Sequence, residues 1–265
     1  MPGSVSQVDE FDALWANRMA RHKIRVSELF GTAAVFVTHS WVAPGSVYNI
    51  VSYRMPQHTT NLVSPTRRVK LIPPNPADDE AVSILRSHPI TRRYLPFLPP
   101  DLSIESIRLR REERAEDPDL VDFYIYTLTE DAPESYAFAG IAGIFKIEAE
   151  HASCETGIIL SPELHRAGYA TEAMYLVLEY AFGEWGMHRM TFETAEANEA
   201  MRGWLERVLG ATLEARKREC WRGLDGTYLD VFSYSILEWE WRGGVREKLE
   251  RLISGHRGGK RPASV

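Results

Sequence analysis

Apolar residues recur along this chain in two periods, and where each period holds it marks out an element. The helical period is plainest where Ala170, Ala173, Met174, Val177, Leu178, Ala181, Phe182 and Trp185 fall on one face. Just before it, Thr156 to Leu160 reads as a short strand, ended by Ser161-Pro162 because proline donates nothing to a sheet ladder. Between strand and helix lies His165-Arg166-Ala167-Gly168-Tyr169-Ala170. There the backbone must turn tightly and set its N–H groups beside a helix N-terminus, as a phosphate site requires. By spacing alone, the same stretch also fits the ordinary connection of an α/β domain.

The same reading extends both ways. Phe11, Leu14, Trp15 and Met19 predict a helix near Asp9 to Leu29, and the β-branched GTAAVFVTHSWV that follows predicts a strand or buried segment. With Trp15, Phe30, Phe36 and Trp41, residues 1–64 carry too much apolar bulk for disorder and read as an ordered extension on the main domain. A strand over Arg67–Ile72 stops at Pro73-Pro74, and a short helix covers Asp78 to Arg86. Ser103 caps a second helix to about Arg114, because a serine there accepts a bond from an otherwise orphan N–H. The charged run Arg108 to Glu116 reads first as a solvated helix face.

Val121–Thr129 and Tyr136–Ile147 form a hairpin across Glu130–Glu134, and Gly140 and Gly143 mark a close backbone approach. In Met190–Ala195, alternation puts Met190, Phe192 and Thr194 on one face and Thr191, Glu193 and Ala195 on the other. Asn198 starts a helix with core face Met201, Trp204, Leu205 and Val208, and Gly210 ends it. Strands over Thr212–Arg222 and Thr227–Leu237 flank the turn Asp225-Gly226. Glu238 to Ser254 reads as a terminal helix and GHRGGKRPASV as a mobile basic tail.

Composition narrows the classes. The 265 residues are 44% hydrophobic and 26% charged, as in an ordinary soluble globular protein. A formal charge of −6 and a pI near 5.8 argue against a nucleic-acid partner and permit a cationic substrate without requiring one. Cys154 and Cys220 lack metal-type spacing and read as reduced thiols, and no metal site is expected. No run reaches the ~18 apolar residues of a membrane span. The opening MPGSVSQVDEFDALW lacks the layout of a secretory signal, so a cytoplasmic protein without a membrane partner is expected.

The central stretch carries a specific likeness. Its loop resembles motif A of the GNAT superfamily of N-acetyltransferases, Q/R-x-x-G-x-G/A, with His165, Gly168 and Ala170 at the matching positions. Gly157, Pro162, Glu163 and the unbroken Gly168-Tyr169-Ala170-Thr171-Glu172-Ala173 resemble the RimJ/RimL-type branch more closely, whose text runs like "GY-L-PE-x-x-G-x-G-YATEA". Gly186-Met187-His188-Arg189 is similar to that branch's turn into the next strand, and Arg93-Tyr94-Leu95-Pro96-Phe97 to its segment after the first helix. The likeness is strong over 155–189, fair from there to 237 and thin before 120.

The resemblance implies a mixed α/β (α+β) sheet in the GNAT acyl-CoA N-acyltransferase fold over 65–240. An N-terminal extension (1–64) and a C-terminal helix and tail (241–265) flank it. It implies acetyl-CoA as cosubstrate and a primary amine, a small molecule or a protein N-terminus, attacking it directly through a tetrahedral intermediate. The N–H groups of Arg166, Ala167, Gly168, Tyr169 and Ala170, with His165 and Thr171 beside them, would take the pyrophosphate. The backbone of Ile158, Ile159 and Leu160 would pair with the pantetheine arm and supply the oxyanion donor. A general base must deprotonate the amine; Glu193 is the first candidate and Glu155 the second. Asn198 resembles the asparagine that holds the cofactor or an ordered water, and it also serves as a helix cap. The charged run Arg108 to Glu116 would, on this footing, contact substrate or CoA phosphate.

The chain departs from the pattern where Met201 stands for a serine, leaving no proton donor for the departing thiolate there. Tyr169, Tyr175 and Tyr228 are the substitutes the sequence offers. Two alternatives stay open: a CoA-binding module with little turnover, and an interaction protein whose extension fills the cleft. Trp239 and Trp241 could bury against the domain or against a second copy in a homodimer.

Overall fold

The computed structural model describes residues 36–43, 46–53, 58–129 and 135–255. The chain divides into two compact units, Met1–Thr60 and Asn61–Val265. In the first, β1 (Phe36–Ala43) and β2 (Ser46–Tyr53) pair antiparallel, with Ala43 opposite Ser46. The helix expected near Asp9–Leu29, the turn Glu130–Glu134 and the tail after Gly255 lie outside the described residues.

The second unit is one eight-stranded sheet with helices on both faces. Its strands are β3 (Leu62–Val63), β4 (Val69–Ile72), β5 (Leu120–Leu128), β6 (Tyr136–Glu148), β7 (Ser153–Leu160), β8 (Arg189–Ala195), β9 (Thr212–Arg222) and β10 (Tyr228–Leu237). They lie in the order β3-β4-β5-β6-β7-β8-β10-β9. Every pair is antiparallel except β7 and β8, joined by the crossover helix α4 (Tyr169–Glu179). This is the mixed α/β sheet that the resemblance implied.

Alternation along the strands builds two unequal cores. Phe123, Ile144, Cys154, Leu160, Met190 and Phe192 face α4 and the π-turn that follows it, where Met174, Leu178 and Phe182 meet them. Each such buried side chain contributes about 1.5–3 kcal/mol. The other face takes α1 (Asp79–Ser87) and α3 (Ile104–Ala115), through Val82, Ile107 and Tyr124. Ser103 caps α3 as expected, its hydroxyl accepting from the Ser106 N–H at 3.1 Å.

Three elements differ from the sequence reading. The proline-rich segment folds as the short helix α2 (Pro89–Tyr94), because His88 accepts the Ile90 N–H and Pro89 sits where no donor is needed. The helix after Asn198 is α5 (Glu199–Gly203) followed by a π-turn, Trp204–Leu209. Its deepest residues are Leu205 and Leu209, while Met201, Trp204 and Val208 are half-buried and face a cleft. The terminal helix is interrupted at Gly244 (φ 138°) before α6 (Arg246–Gly255). Trp241 is buried in the domain, stacked on Phe182 at 5.8 Å, whereas Trp239 is exposed. No helix among the described residues is long and apolar enough to cross a membrane.

Candidate active site

The site begins where two neighbouring strands part. β7 and β8 pair at Ser153–Arg189, Cys154–Met190 and Glu155–Thr191, and no further. From Thr156 to Leu160, β7 is held by β6 alone, with Ile158 opposite Ala142 and Ile159 opposite Ile141. The edge towards β8 therefore lacks a strand partner over this stretch. Backbone donors and acceptors in that position need a partner, and an extended amide chain entering the gap provides one. His165 already engages part of this edge, since its Nε2 lies 3.1 Å from the Leu160 carbonyl, which accepts.

At the far end of β7 the chain turns through two left-handed residues, Arg166 (φ 64°) and Gly168 (φ 84°). Gly168 is the N-cap of α4, and the first bond of the helix runs from the Glu172 N–H to the Gly168 carbonyl at 3.2 Å. The N–H groups of Tyr169, Ala170 and Thr171 thus lie ahead of the ladder at the positive end of the helix dipole. Such a nest of N–H groups suits a pyrophosphate without a charged side chain.

Arg68, immediately before β4, ties this loop down. It donates to the Ala167 carbonyl at 2.9 Å, lies 3.1 Å from Glu172 Oε1, and covers the Tyr169 ring at 4.4 Å. Glu172 is fully buried and also accepts from Thr66. Sequence reading missed this arrangement, because nothing in the local pattern links Arg68 to a loop about 100 residues away.

The gap opens into a cleft of about 910 Å³, lined by β7, β8, the loop and the helices on the other face of the sheet. Both candidate carboxylates line it, on the face of the sheet that α1 and α3 cover. Glu155 is the last paired residue of β7 and takes a bond from Lys146 Nζ at 2.7 Å. Burial pushes its carboxyl above the ordinary glutamate value, and Lys146 partly offsets this. Glu193, two residues beyond the last pair of β8, is bonded to Lys217. Each side chain is 12% exposed. Asn198 also lines the cleft, with its Oδ1 accepting the Met201 N–H at 3.2 Å. Trp204 forms a wall, its indole N–H donating to Thr171 Oγ1 at 3.0 Å.

The structure brings together Glu155, Glu193, Asn198, Ile158, Ile159, Leu160, His165, Arg166, Gly168, Ala170 and Thr171, all on one cleft. Ala167 and Tyr169 belong to the loop but do not line it. The three tyrosines offered as proton donors are elsewhere. Tyr169 is buried under Arg68, Tyr175 donates to Glu250 at 2.8 Å among the Trp241 contacts, and Tyr228 is exposed on the β9–β10 hairpin. The tyrosines that do line the cleft are Tyr94 and Tyr124. The charged run also divides: Arg108 is exposed and paired with Glu105 and Glu112, whereas Arg110, Arg111 and Arg114 line the cleft. Among the described residues no cluster of histidine, cysteine or carboxylate side chains could hold a metal ion.

This geometry agrees with what the chain is similar to. Residues 68–210 match the model of the acetyltransferase (GNAT) domain. An uncharacterized N-acetyltransferase of Bacillus subtilis (strain 168), YnaD, is 31% identical over 97 residues, which cover 37% of this chain and 55% of YnaD. The match therefore spans about half the length of that relative. Among solved structures, a T. thermophilus protein classed as an acetyltransferase is 29% identical with a TM-score of 0.59, covering 70% of this chain and 94% of its own. The Vibrio cholerae spermidine N-acetyltransferase in complex with CoA and spermine shares the fold at 20% identity and a TM-score of 0.59, covering 66% and 98%.

Proposed function

The chain belongs to the GNAT acetyltransferases, and on that premise we propose that it moves an acetyl group from acetyl-CoA to a primary amine in the cleft beside Glu155 and Glu193. The observation that carries this is the parting of β7 from β8 immediately beyond Glu155–Thr191, with an N–H-rich loop at the end of the exposed edge. The run Gly168 to Ala173, which resembles that of the RimJ/RimL-type branch, supports a reading within that branch.

The residues present fit acetyl-CoA. Arg166 to Thr171 would hold its pyrophosphate, and the free edge at Ile158 and Ile159 would pair with its amide-bearing arm. Acetyl-CoA supplies an activated acyl carbon and a thiolate leaving group. The chain must then do three things. A backbone N–H in the gap stabilises charge as it gathers on the carbonyl oxygen. Glu193 accepts the proton the amine sheds, directly or through a water held by Asn198. Glu155, whose burial favours its protonated form, stands beside it as the second carboxylate. As the C–N bond forms, the C–S bond breaks and the thiolate takes a proton; Met201 cannot give one.

Glu193→Gln tests the assignment. It removes the base but keeps the shape, so kcat falls about 100-fold or more, the worth of a positioned general base, while acetyl-CoA affinity stays within about twofold. Unchanged kcat would remove Glu193 from the chemistry. Equal losses in kcat and affinity would instead mark it as a structural residue.

A further inference from the structure

The acceptor end of the cleft carries a charge that the overall balance of −6 conceals. On α3, Ile107, Arg110, Arg111 and Arg114 lie at i, i+3, i+4 and i+7, so they share one face. Ile107 is buried against the sheet, Arg111 and Arg114 are half-buried, and Arg110 is exposed, all three arginines lining the cleft. Arg86, in the last turn of α1, lines the same space. Two of these cations are compensated. Arg111 forms a bidentate pair with Asp79 (2.9 and 3.0 Å), and Arg114 does so with Asp122 (2.5 and 2.7 Å). Arg86 and Arg110 form no bidentate pair among the described residues, although Asp122 also faces both, and the Arg86 Nε is buried without a hydrogen bond. Burial and the neighbouring Arg110 and Arg114 push the Arg86 guanidinium down to about 10. Arg86 is half-buried and Arg110 exposed, both on the cleft, and a guanidinium nitrogen buried without an acceptor is costly unless an anion meets it.

The floor between these arginines and the gap is rich in glycine, with the Phe145 ring beside Gly157. Asp122 pairs with Gly143, and Gly143 with Gly157, across three adjacent strands. A Cβ on Gly143 would stand 2.7 Å from Asp122 Oδ1, so no side chain fits at that position. Strands are about 4.8 Å apart, which puts Asp122 about 10 Å from Gly157, beside the gap. The Phe97–Trp221 edge-to-face pair, at 5.4 Å, forms part of the lining over this end. The arginines cannot serve the pyrophosphate loop from here, since α1 and α3 cover one face of the sheet and α4 the other.

We propose that the acceptor is an anion-bearing amine, compact enough to span this floor, whose carboxylate or phosphate binds Arg86 and Arg110 while its amine reaches Glu193. This rests on the acetyltransferase reading above. The anion matches the Arg86 and Arg110 guanidinium groups and fixes the amine at the gap; a polyamine would meet like charge at the same place.

The test measures CoA release by the full chain at saturating acetyl-CoA. Probes are the α-amino acids and O-phosphoethanolamine, each beside its neutral counterpart (the amino-acid amide, ethanolamine), and spermidine. Anion-bearing amines are expected to give kcat/KM about 10- to 100-fold above their counterparts, the worth of a charge-assisted bond. The carboxylate and phosphate arms show which group is taken. Arg110→Gln and, separately, Arg86→Lys and Arg86→Gln raise KM for anion-bearing acceptors and collapse that ratio, with Lys retaining more of it than Gln. Acetyl-CoA affinity, read by calorimetry, stays as in the wild type. Equal or better turnover of neutral amines or spermidine overturns the proposal, and so does no turnover of any anion-bearing amine by a protein that binds acetyl-CoA. A ratio that survives both the Arg110 and Arg86 variants overturns it too. Failure to bind acetyl-CoA at all would instead strike the acetyltransferase reading, and this proposal with it.

Discussion

Adding one methyl group at Gly140 should loosen the strand edge on which the proposed function depends. Gly140 lies opposite Leu160 on β7 and next to the register shift between β5 and β6 at Ile125/Tyr126. A Cβ there would stand 2.4 Å from the Ile159 carbonyl oxygen and 3.0 Å from Leu160 Cα, whereas ordinary contact begins at 3.4 Å. Both neighbours are backbone, so no rotamer relieves the clash and the strands must part by about 1 Å, the difference between those contacts. Overpacking of this kind costs about 1–3 kcal/mol, and at about 2–4 °C per kcal/mol for a unit of this size, Gly140→Ala should lower Tm by about 5 °C. The shifted segment is the free edge at Ile158–Leu160, and a misplacement of about 1 Å can cost about 100-fold in rate. Gly157→Ala is the control, because its nearest neighbour is the Phe145 ring at 3.4 Å. Thermal melts and acetyl-CoA titrations of both variants decide the matter. A Gly140→Ala protein that melts with the wild type and binds acetyl-CoA as tightly would refute the reasoning.

Other outcomes follow from the same geometry. Arg68→Ala strands the fully buried Glu172 without its cation, so a loss of about 3 kcal/mol and a Tm fall of about 6–12 °C are expected, with weaker acetyl-CoA binding because Ala167 loses its tether. An unchanged melt would show that Glu172 is satisfied by Thr66 alone. Of the two thiols, Cys154 is buried and pushed up to about 12, and Cys220 is exposed. A disulfide reagent should therefore titrate one thiol in the native protein and both in denaturant; two in the native protein would contradict the burial. Glu155 is raised in the fold, so the folded state holds its proton to higher pH than the unfolded chain and wild-type stability declines as pH rises through that window. The Tm of Glu155→Gln relative to wild type should accordingly climb as pH rises above the ordinary glutamate value, and a flat difference would put Glu155 in water.

What could be read from the sequence was local. The tight turn at Gly168, Asn198 and Ser103 as caps, and Gly210 as a stop are fixed by backbone chemistry within a few residues. Gly140 and Gly143 were readable for the same reason, since a glycine inside a strand signals that something approaches closely. The parting of β7 from β8 was not readable from periodicity, because it is a relation between two strands separated by a helix; only the likeness to a family implied it. Met201, Trp204 and Val208 kept helical spacing, yet a cleft wall and a core face share that period. The Arg108–Glu116 run was misleading as a whole. Ile107 on the face of Arg110, Arg111 and Arg114 was the signal that part of it borders the cleft.

The most direct test of the account is a calorimetric titration of the full chain with acetyl-CoA in the absence of any amine. The parted strands and the loop at Arg166–Thr171 predict saturable one-to-one binding with a Kd in the micromolar range. No binding with acetyl-CoA at millimolar concentration would contradict the assignment of this cleft, whatever the fold.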